Sequence, residues 1–524
     1  MKVVSSNQMR AIENAAFKEG TSSKILMQNA GHAIALAIES RITDGSQLVA
    51  LIGPGNNGLD GLIACSELRK TDSYIMTIIL LTNTVSERED FLEELDLINS
   101  DVKIYDSLDC DSKFQEIEVI LSKADVVLDA IFGIGLSRNI EDPLKAYINR
   151  IIDSLSENVL KVAVDIPTGV NTDTGEVDQT VFGADLTFAL ACPKLAHFTQ
   201  PAAYFCGKVE VLDIGISIKE MKEINVNLIT EIFVGSKIPM RPLGSNKGSF
   251  GKIMIVGGSK EFVGAPALAG KAALRTGAGL VTSAIPTAIS SSFTSLFPES
   301  TLIQLPEISE NNSAWNSAWN SARYIHKNLA EYSVMLIGCG LGVSNQTTNI
   351  VENLLIPDID VPKLIIDADA LNILSRMYKW WNKVDDNAIL TPHPGEMSRL
   401  TSLSINEIQS NRINVAQEFS CKWNKIVVLK GANTVIASPD GEVWVSKFAN
   451  PALASAGTGD VLAGIIAGLL AQNVSMVDAA LLGVYIHGLT GETFGKSSGL
   501  LASDLLESIP FIMDRLRINK GFKN

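Results

Sequence analysis

Cysteine is scarce and scattered in this chain. Six residues, Cys65, Cys110, Cys192, Cys206, Cys339 and Cys421, are spread over 524 positions with no C-x-x-C pair and no neighbouring histidines. That spacing excludes a disulfide framework and a zinc site, and it makes a reducing cytoplasm the expected compartment. Positive charge is in deficit: 43 Lys+Arg against 58 Asp+Glu leave a net charge of −15. Nucleic-acid binding needs a basic footprint, so no nucleic-acid partner is expected. An anionic ligand must be held locally, by main-chain amides and a few lysines. Long apolar runs are also missing. The longest, Val461–Ala471, falls well short of the ~20 residues that cross a bilayer. The opening Met1-Lys2-Val3-Val4-Ser5-Ser6 has no signal-peptide core, and no membrane partner is expected.

What is present reads as two alternating α/β patterns. Helical spacing covers 6–19 and 25–42, then 62–68, 87–98 and 143–155. Between them lie continuous apolar runs at 48–52, 74–81, 102–105, 125–131 and 159–166, the signature of parallel strands covered on both faces. The first half is therefore a Rossmann-like, doubly wound parallel sheet. The polar stretch 217–227 and the turn residues Pro239, Pro242 and Gly244 read as a linker. A second pattern starts at 251–256, with strands near 280–285, 334–337, 364–366, 388–391 and 425–429. It continues through a hairpin, 434–437 with 443–445, turned at Asp440-Gly441. Helices at 461–471, 477–494 and 502–517 close it. Two domains, 1–222 and 223–524, are expected. The tandem Asn-Ser-Ala-Trp puts Trp315 and Trp319 on one helix face, where packing or a subunit contact is the plain reading.

Three strand ends in the first half carry polar residues where open α/β sheets bind ligands. After 48–52 comes Gly53-Pro54-Gly55-Asn56-Asn57-Gly58-Leu59-Asp60-Gly61, a glycine-rich turn opening a helix whose free N–H groups suit a phosphate. It matches neither G-x-G-x-x-G nor a P-loop. The second end is Asp129 followed by Gly133-Ile134-Gly135-Leu136-Ser137-Arg138-Asn139, and the third is Asp165-Ile166-Pro167-Thr168. An aspartate inside an apolar strand is costly to bury unpaired, so Asp129 and Asp165 need a cation, a donor or a substrate hydroxyl. A carboxylate that merely caps the next loop is the competing reading for either alone.

Four signals mark the second half. They are Gly257-Gly258-Ser259 with Gly264-Ala265-Pro266; Gly338-Cys339-Gly340-Leu341-Gly342; Asp367-Ala368-Asp369-Ala370 with Thr391-Pro392-His393-Pro394-Gly395-Glu396; and Gly457-Thr458-Gly459-Asp460 opening a long apolar helix. The last forms an anion hole beside a carboxylate able to take a hydroxyl proton, although Thr and Asp also cap helices with no ligand at all. Lys430-Gly431-Ala432-Asn433-Thr434 at another strand end tips the balance to nucleotide binding. His393, held between prolines, is either bonded to backbone or in contact with substrate.

Residues 1–216, from Gln8-Met9-Arg10-Ala11-Ile12 and Leu26-Met27-Gln28-Asn29-Ala30-Gly31 through the three strand ends, resemble the NAD(P)H-hydrate epimerases. The resemblance implies that 56–60 and 133–139 bind the damaged dinucleotide. It implies that Asn57, Asp129 and Thr168 hold K+, and that Asp165 contacts the hydrated nicotinamide as acid/base. Residues 244–520 resemble the ADP-dependent NAD(P)H-hydrate dehydratases, a ribokinase-like family. There the resemblance implies that Lys430–Thr434 and Gly459 bind ADP, with Mg2+ on its phosphates. Ala265, Gly340, Gly342, His393 and Asp460 would contact the hydrate, with Asp460 catalytic. Together these imply a bifunctional repair enzyme that interconverts R and S hydrates of NADH or NADPH and dehydrates the S form at the expense of ADP. A homo-oligomer is expected. The alternative is a ribokinase-like small-molecule kinase fused to a non-catalytic dinucleotide-binding module. The chain departs from the family patterns at Gln28, Leu59, Cys339, Ala452 and Ala456. Leu59 replaces a glycine, at a cost of ~1 kcal/mol if that position needs positive φ.

Overall fold

A computed structural model describes residues 1–71, 73–81, 88–98, 102–106, 113–136, 139–216, 224–305, 314–355 and 361–518. It divides into two compact units, Met1–Ile224 and Asn225–Asn524; residue 222, the expected boundary, lies outside the described residues. The first unit holds seven strands. They are β1 (Gln47–Ile52), β2 (Ile75–Leu80), β3 (Lys103–Asp106), β4 (Val126–Ala130), β5 (Leu160–Val164), β6 (Leu186–Leu190) and β7 (Lys208–Leu212). They form one parallel sheet in the order β3-β2-β1-β4-β5-β6-β7. The chain reverses direction between β1 and β4, the place where such sheets open a crevice. Along β1, Leu48, Ala50 and Ile52 enter one core while Val49 and Leu51 enter the other. This double coverage is why the strand reads as an unbroken apolar run. The first core is closed by α2 (Ser23–Glu39) and α3 (Asn56–Arg69), and α1 (Ser6–Lys18) packs near Cys192.

The second unit carries ten strands. They are β8 (Val226–Leu228), β9 (Lys252–Val256), β10 (Leu280–Pro286), β11 (Thr301–Leu305), β12 (Val334–Ile337), β13 (Lys363–Ile366), β14 (Ala388–Leu390), β15 (Ile426–Leu429), β16 (Val435–Ala437) and β17 (Val443–Val445). Their order is β11-β10-β9-β12-β13-β14-β15-β16-β17-β8. From β11 to β15 the sheet is parallel; the hairpin partner β16 runs antiparallel to both neighbours. The carboxyl ends of β9, β12, β13, β14 and β15 thus share one edge. The apolar helix Thr458–Ala471 packs between Gly264–Thr276 and Met476–Thr493.

Two expectations need correction. Part of the supposed linker belongs to the second unit: β8 pairs in parallel with β17, and Glu231–Lys237 is a helix buried at Val234. Three residues of strand inside polar text have no period to reveal them, and only the partner strand stabilises them. Leu59 needs no positive φ, because it sits inside α3 with its side chain in the core. The helix Ala314–Leu329 carries both Trp315 and Trp319, whose side chains lie outside the described residues. No described helix is long and apolar enough to cross a membrane.

Candidate functional sites

In the first unit, a cavity of about 460 Å3 opens at the carboxyl ends of β1, β4, β5 and β6. The turn after β1 forms one wall with Gly55, Asn56, Asn57 and Asp60; Gly133, Ile134, Gly135 and Leu136 form another. The turn is tight for a steric reason: a Cβ at Gly58 would run into the Gly53 carbonyl. No side chain caps α3 at Gly55, so its first amides remain free for an anion. Gly58, Leu59 and Asn139 do not line this cavity; Asn139 is exposed, and Ser137 and Arg138 lie outside the described residues.

The three residues expected to hold K+ form one bonded group. Thr168 donates from Oγ1 to Asp129 Oδ1 (2.7 Å) and from its backbone N–H to Oδ2 (2.7 Å). The same Oγ1 accepts from Phe132 N–H (3.2 Å), and Asn57 Nδ2 donates to the Phe132 carbonyl (3.0 Å). Asp129 is completely buried, and burial pushes its carboxyl up to about 6 against the pull of those donors. A buried carboxylate with hydroxyl, amide and carbonyl oxygens close by, and no ammonium on it, is chemistry that fits a hard monovalent cation.

Asp165 follows β5 with φ of 62°, a left-handed conformation that costs a non-glycine residue ~1 kcal/mol or more. Its carboxylate accepts from Leu190 N–H (2.9 Å) and pairs with the ammonium of Lys194. Lys194 is 1% exposed and also donates to the Leu190 carbonyl (2.9 Å). Both face the cavity, as does Glu13 on α1. Burial, then the charge of Asp165, pushes Glu13 up; the same causes push Asp60 well above the carboxylate range. Lys194 and Glu13 escape sequence reasoning. Lys194 lies 29 positions from its partner, and the one available signal was the lysine just past the apolar run Leu186–Leu190.

In the second unit, Lys430 at the end of β15 is the hub. Its ammonium donates to Asp367 Oδ1 (2.6 Å) and lies 4.0 Å from Glu396. Burial would lower the lysine, yet Asp367 and Glu396 outweigh it and leave it above its ordinary value. Gly459 borders this ammonium: a Cβ there would sit 3.4 Å from Nζ. Asp460, in the first turn of Thr458–Ala471, is pushed up to about 6 by burial and then by Asp367, while Cys339 and Lys430 pull it down. The plain-cap reading fails here, because Gly457 provides no side chain and Thr458 spends its hydroxyl on the Leu453 (2.8 Å) and Ser455 (2.9 Å) carbonyls. The helix amides are left open to an anion.

His393 turns out to be an N-cap. Nδ1 accepts from Gly395 N–H (3.0 Å), and Glu396 accepts in return from His393 N–H (2.8 Å). With Nδ1 occupied, a neutral ring carries its proton on Nε2, which lies 3.4 Å from Glu396 Oε1. Burial, Lys430 and Arg399 all lower its pKa. Asp369 holds the Gly340–Gly342 turn by accepting from Gly342 N–H (2.8 Å). A Cβ on Gly340 would lie 2.9 Å from that of Ala265. Gly342 also borders a cavity of about 470 Å3 with Ser259. Cys339 ties this turn to the hub, since its buried thiol hydrogen-bonds Asp460. In the Lys430–Thr434 turn, Asn433 and Thr434 spend their side chains on the Ser446 (3.1 Å) and Gly431 (2.8 Å) carbonyls, so those two act through backbone. Arg412, buried beneath it and bonded to the Leu429 (2.8 Å) and Lys430 (3.2 Å) carbonyls, went unforeseen. Cys339, Asp367 and Asp460 bring ligand atoms within 4.8 Å of one another. The trio fits Mg2+ poorly: the thiol is pushed well up and Lys430 already occupies Asp367.

Residues 253–511 match the family described as NAD(P)H-hydrate dehydratase, and residues 23–196 match the YjeF-related protein N-terminus. The bifunctional NAD(P)H-hydrate repair enzyme of Moorella thermoacetica is 35% identical over 98% of this chain and 97% of its own. The enzyme of the same name from Dictyoglomus turgidum is 33% identical over 98% and 99%. Among solved structures, the ADP/ATP-dependent NAD(P)H-hydrate dehydratase of Bacillus subtilis, co-crystallised with ATP/Mg2+, is 32% identical. It covers 56% of this chain and 99% of its own, with a TM-score of 0.48.

Proposed function

The chain belongs to the bifunctional NAD(P)H-hydrate repair enzymes, and from that premise we propose how its two units divide the work. The unit Met1–Ile224 interconverts the R and S hydrates, and the unit Asn225–Asn524 dehydrates the S form with ADP. One observation carries the division. Each unit brings its own carboxylate, Asp165 or Asp460, to the carboxyl edge of a parallel sheet beside an uncapped helix N-terminus.

In the first unit, the free amides of α3 and the 133–136 loop receive the dinucleotide phosphates. Asp165 takes the proton of the hydrate hydroxyl and passes it to the ring nitrogen as the bond between that nitrogen and the hydroxyl-bearing carbon opens to an aldehyde; the reverse transfer as the nitrogen adds back to the other face completes the inversion. Asn57, Asp129 and Thr168 would hold K+, whose charge would offset the buried Asp129. In the second unit, Gly459 and the neighbouring helix amides, with Lys430, receive the ADP phosphates. Asp460 accepts the hydroxyl proton as that oxygen attacks the terminal phosphorus of ADP and AMP leaves. Phosphate then leaves in place of hydroxide, the neighbouring ring carbon gives up a proton, and the ring double bond returns. His393 donates from Nε2 to the substrate. Mg2+ bound with the nucleotide would supply further charge neutralisation. Free thiols at the five described cysteines favour a reducing cytoplasm.

The test is recovery of reduced-nicotinamide absorbance from racemic hydrate and ADP, in KCl or in choline chloride at equal ionic strength. Full conversion in KCl, with a slower second half in choline, is expected. Conversion stopping near one half in both salts would refute the epimerase assignment. No conversion would refute the dehydratase assignment, and equal rates in the two salts would refute the K+ site.

A further inference from the structure

The pair Asp165–Lys194 is built at a cost that stability does not explain. An ammonium 1% exposed and a carboxylate 6% exposed have both left water. The desolvation of such a pair usually matches or exceeds its Coulomb gain. The backbone around it is strained twice, with φ of 62° at Asp165 and 59° at Ala191. His197 braces both ends: its Nδ1 accepts from Lys194 N–H (3.0 Å), leaving Nε2–H to donate to the Asp165 carbonyl (2.9 Å). The described titratable or charged groups around the pair come from several elements, and the N-terminal ammonium of Met1 acts on Cys192 among them. Glu13 and Arg10 come from α1 and Asp60 from α3; Cys192, Lys194 and His197 follow β6. Lys194 is the one cation bonded to the Asp165 carboxylate among them.

We propose that Lys194 is a positioning residue for epimerisation, the cation that pairs with the Asp165 carboxylate and holds it aimed into the cavity, where it acts as the base. This rests on the reading of the first unit as the epimerase. It adds a residue that no motif pointed to, and it assigns the placement of the Asp165 carboxylate to one partner. Glu13 and Asp60 cannot substitute for it, since each raises rather than lowers the energy of a charge at Asp165.

The test uses the full chain with Lys194→Met and Lys194→Arg. Dehydration of S hydrate with ADP, carried by the other unit, serves as the internal control of protein quality, and circular dichroism reports whether the first unit is folded. Epimerisation is followed against pH by resolving the R and S forms. For Lys194→Met we expect the acid limb of kcat to move upward by about 1–3 pH units, the range a single close charge commands. KM should change much less than kcat. Lys194→Arg, which keeps the charge, should restore the wild-type limb even at a lower rate. A folded Lys194→Met whose limb does not move overturns the proposal. So does an unchanged limb with a rate reduced equally at every pH, the mark of a merely structural role. If Lys194→Met fails to fold, Lys194→Arg decides: a limb displaced from that of the wild type overturns the proposal, and an undisplaced one supports it. Wild-type protein without epimerisation would instead refute the underlying reading, which this series keeps separate.

Discussion

A single carboxylate shows how burial tunes a residue for its task. Asp460 is pushed up to about 6 because it sits largely out of water beside Asp367, with Cys339 and Lys430 opposing the shift. A base must be unprotonated, so dehydration should rise with pH through about 6 and level off above it, while a base with the ordinary carboxylate value would already be saturated there. Asp460→Asn should lower kcat by about 10²–10⁴, the usual weight of one acid/base group, and leave epimerisation untouched. A pH profile of the nicotinamide absorbance assay checks both; a flat profile between pH 5 and 7 contradicts the assignment. Residue identity was readable here because an acidic side chain at a helix start or strand end stands out against apolar text. Its partners were not readable. Asp367 meets Lys430 across 63 positions and Lys194 meets Asp165 across 29, and no local pattern encodes such pairings.

At the scale of elements, helix N-termini are the proposed anion sites, and their glycines are fixed by space as much as by conformation. Gly457 has φ of 87°, and a Cβ there would approach Leu268 Cδ1 to 2.7 Å. Gly457→Ala should therefore cost about 1–2 kcal/mol in the second unit. It should weaken ADP, raising its KM with little effect on epimerisation. Thermal unfolding together with an ADP titration measures this, and an unchanged KM would remove the helix terminus from the nucleotide site. The long strands and amphipathic helices were legible because both faces of each sheet are covered. That rule does not cover every escape, since β6 is buried along its whole length and still stands outside the runs read from the sequence; two others are of a different kind. β7 is half exposed at a sheet edge and β8 has three residues; the latter is stabilised by its partner β17 rather than by its own composition.

Considering the whole molecule, the two sites lie in separate compact units, each with its own sheet and core. A hydrate released by one unit can reach the other through solution, and on that expectation the units need not reside in one chain to cooperate. Asp165→Asn protein should convert racemic hydrate only to about one half, apart from slow spontaneous epimerisation. Asp460→Asn protein should convert none. Mixing the two should restore full conversion, at a rate that grows with either concentration. A mixture that still stops at half would show that repair requires both sites on the same molecule.

The amino-acid order alone determined the class of each unit, the place of most strands, and the acidic residues that stand out at strand ends and a helix start, Asp129, Asp165, Asp367 and Asp460. Those features are written in short-range periodicity and in single residues that conflict with their surroundings. The tertiary structure alone decided which groups meet: Lys194 against Asp165, Lys430 between Asp367 and Glu396, Cys339 on Asp460, and Leu59 turned into the core instead of the pocket. Ion pairs and cavities depend on which strands become neighbours, and neighbourhood in a crossover sheet is set by packing across the whole unit rather than by position along the chain.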